Sequence, residues 1–274
     1  MSLLQGEALS AAAARWDGFL KQIADRHAAV CQEAEEGSKA ALAACGHDFI
    51  PISHAWMAVN DRLKELERRI IDTWNEKVEA VFEQEGVDRG VQMRERRKGE
   101  DLAFDLENKR EASEMRTFAA GARELHQRAL VTQAERNCGH CGVPLAIPVT
   151  YRAINVTCTH CQSVVTFEPG TLARMAIASG GHAMAWEAAY PEWLQMRRAE
   201  RAIRDHRSPT PLAILKAYEQ AQIAYWTKYI GTKAYFEPEL RDVAHEVRSR
   251  MQFWWTQMTT EEEWRKAGNP QASV

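Results

Sequence analysis

The chain of 274 residues is 45% hydrophobic and 27% charged, enough apolar material for one large core or two ordinary ones and too much for a disordered chain. Its 35 Lys and Arg against 38 Asp and Glu leave a net charge of -3, which excludes a global electrostatic pull toward nucleic acid or anionic lipid. No apolar run approaches the roughly 20 residues a membrane helix needs, so no membrane insertion is expected, and residues 1–15 lack the basic-then-apolar pattern of a signal peptide.

In chain order, residues 7–44 are Ala-rich helix formers with Trp16, Phe19, Leu20 and Ile23 as larger apolar anchors. Gly46 and Pro51 mark a break, and Ser53 is placed to cap the next helix. There Trp56, Val59, Leu63, Leu66 and Ile70 recur at alternating steps of three and four, the seam of a bundle or coiled-coil helix, and Trp74, Val78 and Val81 continue it with a phase slip. From residue 88 to 116 charges of both signs crowd the chain, which predicts a solvated helix held by opposite-charge neighbours. The alternative, a polyanion contact through Arg94, Arg96, Arg97 and Lys98, is weakened by the interleaved acids. Apolar character returns at Met115, Phe118, Ala122, Leu125 and Ala129.

Residues 171–207 read as one helix or two, with Gly180-Gly181 and Pro191 as the irregular points. Ser208-Pro209-Thr210-Pro211 is a connector, and the helix after it runs to about Ile230, ending in a turn near Gly231 and Pro238. Leu240, Val243, Val247, Met251, Trp254 and Met258 share one face of a last helix, which leads to a frayed tail. Of nine tryptophans, six lie after residue 185: Trp186, Trp193, Trp226, Trp254, Trp255 and Trp264. Most should be core, with one of the adjacent Trp254-Trp255 pair turned toward a partner.

Four of the six cysteines form two pairs, Cys138-Gly139-His140-Cys141 and Cys158-Thr159-His160-Cys161, sixteen residues apart. In a chain without an export signal such pairs read as a metal site rather than as disulfides, which places the protein in the cytoplasm. Each two-residue turn points both sulfurs the same way, and two turns complete a tetrahedron suited to zinc; four thiolates are also chemically compatible with a rubredoxin-like iron centre. Gly142 permits the positive φ of a tight knuckle. Leu145, Ile147, Val149 and Tyr151 alternate as a strand would, Ile154 and Val156 lead into the second pair, and Val164, Val165 and Phe167 follow it before Pro169-Gly170. Residues 137–170 resemble the four-cysteine zinc ribbons, particularly small bacterial ribbons whose second C-x-x-C is followed by a hydrophobic strand. The resemblance implies one structural zinc on Cys138, Cys141, Cys158 and Cys161, and is specific for fold and metal rather than for function. His140 and His160 are read as exposed residues, not ligands.

Other constellations are weaker. His27 and Cys31 share a helix face and, with Cys45 and His47, are candidates for a second metal site. Arg197, Arg201 and Arg204 fall at i, i+4 and i+7 within a run that includes Arg198 and Arg207, a basic stripe for a partner or a polyanion. The pairs His182 with Glu187, His206 with Asp205 and His245 with Glu246 make no catalytic motif. The expected architecture is mainly α: long helices in a bundle or coiled-coil-like arrangement with a small β zinc ribbon inserted at mid-chain. It divides into a helical arm (1–136), the ribbon (137–170) and a Trp-rich helical region (171–274). The expected function is a non-enzymatic scaffold or adaptor whose partner is another protein; the alternative is nucleic-acid binding through the ribbon and the arginine helix.

Overall fold

The computed structural model describes residues 2–46, 48–133, 136–147, 152–206, 210–237, 240 and 242–266. The described residues are 81% helical, with only a small two-stranded sheet among them at mid-chain, which is the mainly α architecture the sequence predicts. The helices are α1 (Ser2–Ala44), α2 (Phe49–Thr73), α3 (Glu79–Gln84), α4 (Arg89–Gln133), α5 (Thr171–Ala188), α6 (Tyr190–Asp205), α7 (Leu212–Phe236) and α8 (Val243–Lys266). Strands β1 (Ile154–Thr157) and β2 (Val164–Phe167) lie between α4 and α5. Among the described residues no helix is long and apolar enough to cross a membrane. Two compact units result, Met1–Thr117 and Phe118–Val274, and the cysteine-bearing segment belongs to the second.

The first unit is an up-down-up helical bundle, and its cross-contacts set the directions. His27 of α1 meets Glu67 of α2, while Trp16, eleven residues earlier, meets Trp74, so the two run antiparallel. Trp16 donates its indole N–H to the Glu95 carbonyl of α4 at 3.0 Å, and Glu35 accepts from Ser113 and Arg116, so α1 and α4 run parallel. Trp16, Leu20, Ile23, Leu63, Leu66, Ile70, Trp74 and Leu106 fill the space between. α4 comes so close that a Cβ on Gly99 would lie 2.7 Å from the Trp16 ring and 3.1 Å from Ile70. The missing side chain is what lets the indole reach across.

The phase slip after Ile70 has a physical form, a π-helical turn over Trp74–Val78 that joins α2 to α3 without a break. Ile70, Trp74 and Phe82 are all buried. On an uninterrupted α-helix three steps of four residues would rotate the seam by about 120°, and one extra residue in a π turn takes back about 100°. The apolar face therefore stays on the core. The start of α2 differs from the reading in which Ser53 caps it. Asp48 is the cap, its side chain accepting from the Ile50 N–H at 3.0 Å, and Pro51 lies within the first turn. A proline there costs no hydrogen bond, because first-turn N–H groups have no partner in the helix.

The charged segment is not the uniformly solvated helix its composition predicts. Phe104, Leu106, Asn108, Arg110, Ala112, Ser113 and Thr117 of α4 are buried. Its charges pair across helices: Arg110 donates to Glu67 at 2.9 Å, where His27 also meets the carboxylate at 3.4 Å, and Lys98 reaches Asp17 at 3.1 Å. Burial pushes the Glu67 carboxyl up, but the bonds from His27 and Arg110 outweigh it and hold the group below its ordinary value.

In the second unit the aromatic residues make the core. Trp186 of α5 packs edge-on against Trp193 of α6 at 4.8 Å, and α7 contributes the cluster Tyr225, Trp226 and Tyr229. α8 runs antiparallel to α7: Tyr218 meets Trp254 and Arg250 lies over Trp226. Three sequence expectations change here. α5 continues through Gly180-Gly181 to Ala188, where the break falls just before Pro191, and α7 continues through Gly231 to Phe236. Trp255 donates its indole N–H to Glu219 of α7 instead of turning outward, and the strongly exposed aromatic of α8 is Phe253. The connector residues 207–209 and the tail after 266 lie outside the described residues, as does the Trp264 side chain.

Two sets of substitutions test this packing by denaturant unfolding. Leu63→Ala and Ile70→Ala, both at fully buried positions, should each cost about 2–5 kcal/mol through the cavity left behind. Gly99→Ala should also destabilise, by about 1–3 kcal/mol of overpacking, whereas Gly18→Ala and Gly37→Ala, with open space at the new methyl, should each stabilise by about 0.5–1 kcal/mol. A second test is pH-dependent. Because the Glu67 pKa is lowered in the fold, its contribution is present above its ordinary 4.5 and is lost as pH falls below it. Glu67→Gln should therefore cost about 1–3 kcal/mol at pH 7, and the gap from the parent should close in acid.

Candidate metal centre

The two C-x-x-C segments fold into matching knuckles. In the first, the Cys138 N–H donates to the Val143 carbonyl at 2.8 Å and the Gly142 N–H to the Cys138 carbonyl at 2.8 Å. In the second, Cys158 donates to Ser163 at 2.9 Å and Gln162 to Cys158 at 3.0 Å. The residue after each pair is left-handed: Gly142 at φ 75°, as the sequence predicts, and Gln162 at φ 60°. Glutamine holds that conformation with a side-chain bond to the Thr159 carbonyl. The knuckles are thus a local repeat of geometry, although their sequences share little beyond Cys, His and Cys.

All four sulfurs lie within 4.8 Å of one another, with Cys138 to Cys161 and Cys141 to Cys158 each at 3.7 Å. A disulfide would need about 2.05 Å, so these are separate sulfur atoms around a common centre. Ligands at about 2.3 Å from a tetrahedral ion stand about 3.8 Å apart, and the two 3.7 Å pairs match that spacing. Cys138 and Cys158 are buried, and Cys141 and Cys161 are part-exposed. The four cysteines could therefore hold a metal ion.

The backbone is arranged for anionic sulfur. A side-chain and a backbone bond from Ser163 hold the Cys161 thiol down at about 6, and the N–H groups of Cys161 and His160 lower Cys158. At Cys141 a bond from the Val143 N–H favours the thiolate, but desolvation and the three neighbouring sulfurs push the group up to about 12. Four such groups cannot all ionise side by side without a cation between them. A bound cation reverses this repulsion and favours four thiolates.

The rest of the segment braces the knuckles. β1 and β2 pair antiparallel, with Ile154 opposite Phe167 and Val156 opposite Val165 on one face. Asn155 and Thr166 face each other on the other side and hydrogen-bond at 2.9 Å. Of the expected strand through residues 145–151, residues 145–147 form no strand and 148–151, with Val149 and Tyr151, lie outside the described residues. An isolated bridge joins Asn137 and Pro144 just before it. Gly139, His140, Thr159 and His160 form exposed knuckle tips.

The weaker sequence candidates separate. His27 and Cys31 meet in the first unit, with Sγ 3.6 Å from Nδ1, and Glu67 closes the other side of the imidazole. Burial raises the Cys31 thiol. Cys45 is fourteen residues further along α1, about 21 Å at the helical rise, so it cannot share a metal with them, and His47 lies outside the described residues. Arg197 and Arg201 are part-buried and paired with Glu200 and Asp205, while Arg204 is exposed. His182 and Glu187, paired in the sequence reading, have other partners: His182 meets the Tyr229 hydroxyl at 2.7 Å, and Glu187 pairs with Arg123. The His182–Tyr229 contact joins residues 47 apart in the chain, and no local spacing announces it.

Compared with protein-family models, with curated proteins and with solved structures, the chain matches none. What is known of the site therefore rests on its own geometry.

The left-handed positions provide a test of the knuckles. Gly142→Ala should lower metal affinity and destabilise the segment by about 1 kcal/mol, because Cβ strains that conformation. Gln162→Gly should leave metal affinity unchanged or raise it. Competition with a chromophoric chelator measures both.

Proposed function

We propose that the chain is a non-enzymatic scaffold or adaptor in which one structural zinc closes a four-thiolate ribbon, and that the ribbon surface, carried on a helical frame, contacts another protein. The observation that supports this reading is the convergence of four cysteine sulfurs within 4.8 Å on paired knuckles. A four-coordinate ion held by four thiolates has no position left for water or substrate, which favours a structural over a catalytic role. Zinc fits the donor set because it takes four soft sulfurs tetrahedrally and needs no redox partner.

The exposed knuckle tips and Val164, 65% exposed on β2, are the features a partner would read. The nucleic-acid alternative draws less from the arginine helix, since the Arg197 and Arg201 side chains are only 17% and 15% exposed and ion-paired.

Elemental analysis of the purified protein should give one zinc per chain. Cys138→Ser or Cys161→Ser should abolish it, keep most far-ultraviolet helical signal, and lose partners captured from native extract by the intact chain. Retention of the same partners by both variants would remove the ribbon from the contact. Retention on nucleic acid that falls steeply with salt would replace this reading with the alternative.

A further inference from the structure

The first unit contains a pocket of about 220 Å³ between α1 and the π turn with α3. Its walls are apolar: Trp16 and Phe19 on one side, Val78, Val81 and Phe82 on the other. Trp16 and Phe82 are themselves buried and both pack against Trp74, so these walls are fixed by the core. Two cations line the same pocket, Arg15 and Lys77, both exposed and hence at its rim, and no carboxylate among the described residues lines it. Among the described residues neither makes an ion pair, whereas Lys98 and Arg110 of the same unit do.

The π turn contributes Lys77 and Val78 directly. Such turns give up regular helix geometry and recur at functional sites. An apolar chamber of about 150 Å³ already takes a benzene ring, so this one has room for a single ring with a short chain. Apolar walls favour an apolar body, and two unneutralised cations at the mouth favour a negative end.

We propose that this pocket binds a small apolar monocarboxylate, its ring or short alkyl body between Trp16, Phe19 and Phe82 and its carboxylate between Arg15 and Lys77. A single carboxylate at the mouth can meet both Arg15 and Lys77, which make no ion pair among the described residues. This site is separate in sequence from the cysteine knuckles, and its test does not depend on zinc.

The probes are 4-phenylbutyrate and the neutral 4-phenylbutanol, titrated into the full chain by calorimetry, with the Trp16 indole N–H followed by NMR. The carboxylate should bind about fivefold more tightly than the alcohol at low salt, the modest factor expected of exposed cations, and the advantage should shrink as salt rises. Arg15→Gln with Lys77→Gln, both at exposed positions, should erase the advantage and leave alcohol binding unchanged. Val81→Trp should fill the chamber and abolish binding of both, provided the helical signal is retained. Equal affinity for the two probes, no binding by the intact chain, or an advantage that survives the double substitution would each overturn the proposal.

Discussion

Four sulfur atoms confined within 4.8 Å define an electrostatic problem that the surrounding chain cannot solve alone. As thiols they offer little to one another, and as thiolates they repel. The knuckle N–H groups lower individual sulfurs but cannot neutralise four negative charges, so four thiolates would need a cation between them. The segment also has little else to hold it: a two-stranded sheet with one apolar face of Ile154, Val156, Val165 and Phe167. A body of this size buries too little surface to fold by hydrophobic burial. Were a metal bound there, its binding energy would become folding energy for this segment.

The first unit answers to a different constraint, the close approach of three helices. Gly99 lets α4 sit on Trp16, and the π turn keeps the seam of α2 and α3 aimed at the core. His27, Glu67 and Arg110 then form a buried polar set whose members satisfy one another. Breaking one partner would strand the others in a medium that solvates charge poorly. No cysteine of the knuckles lies in this unit.

Much of this was legible in the sequence. The seam from Trp56 to Ile70 and the positive φ at Gly142 follow from spacing and residue type, as does the convergence of the four cysteines. The slip after Ile70 was visible as a phase error, but a π turn and an irregular helix leave the same trace in the letters. Where the reading of charges failed, the cause is tertiary. Arg110 and Glu67 lie 43 residues apart, and nothing local distinguishes a charge that will find a buried partner from one that stays in water. The same holds for Ser53, a good capping residue displaced by Asp48, whose carboxylate begins the helix a turn earlier. Glycine pairs are also weaker breaks than their composition suggests: each glycine costs a helix about 1 kcal/mol, and α5 runs through Gly180-Gly181 without interruption.

The most direct measurement is amide hydrogen exchange on the full chain before and after removal of metal by a strong chelator under reducing conditions. Metal-free protein should lose protection at Cys138, Gly142, Cys158 and Gln162, whose N–H groups close the knuckles, while the core amides around Leu63 and Ile70 keep theirs. Readdition of zinc should restore the first set. Unchanged knuckle protection in demonstrably metal-free protein would contradict the account, because the four cysteines would then be held together by something other than a cation.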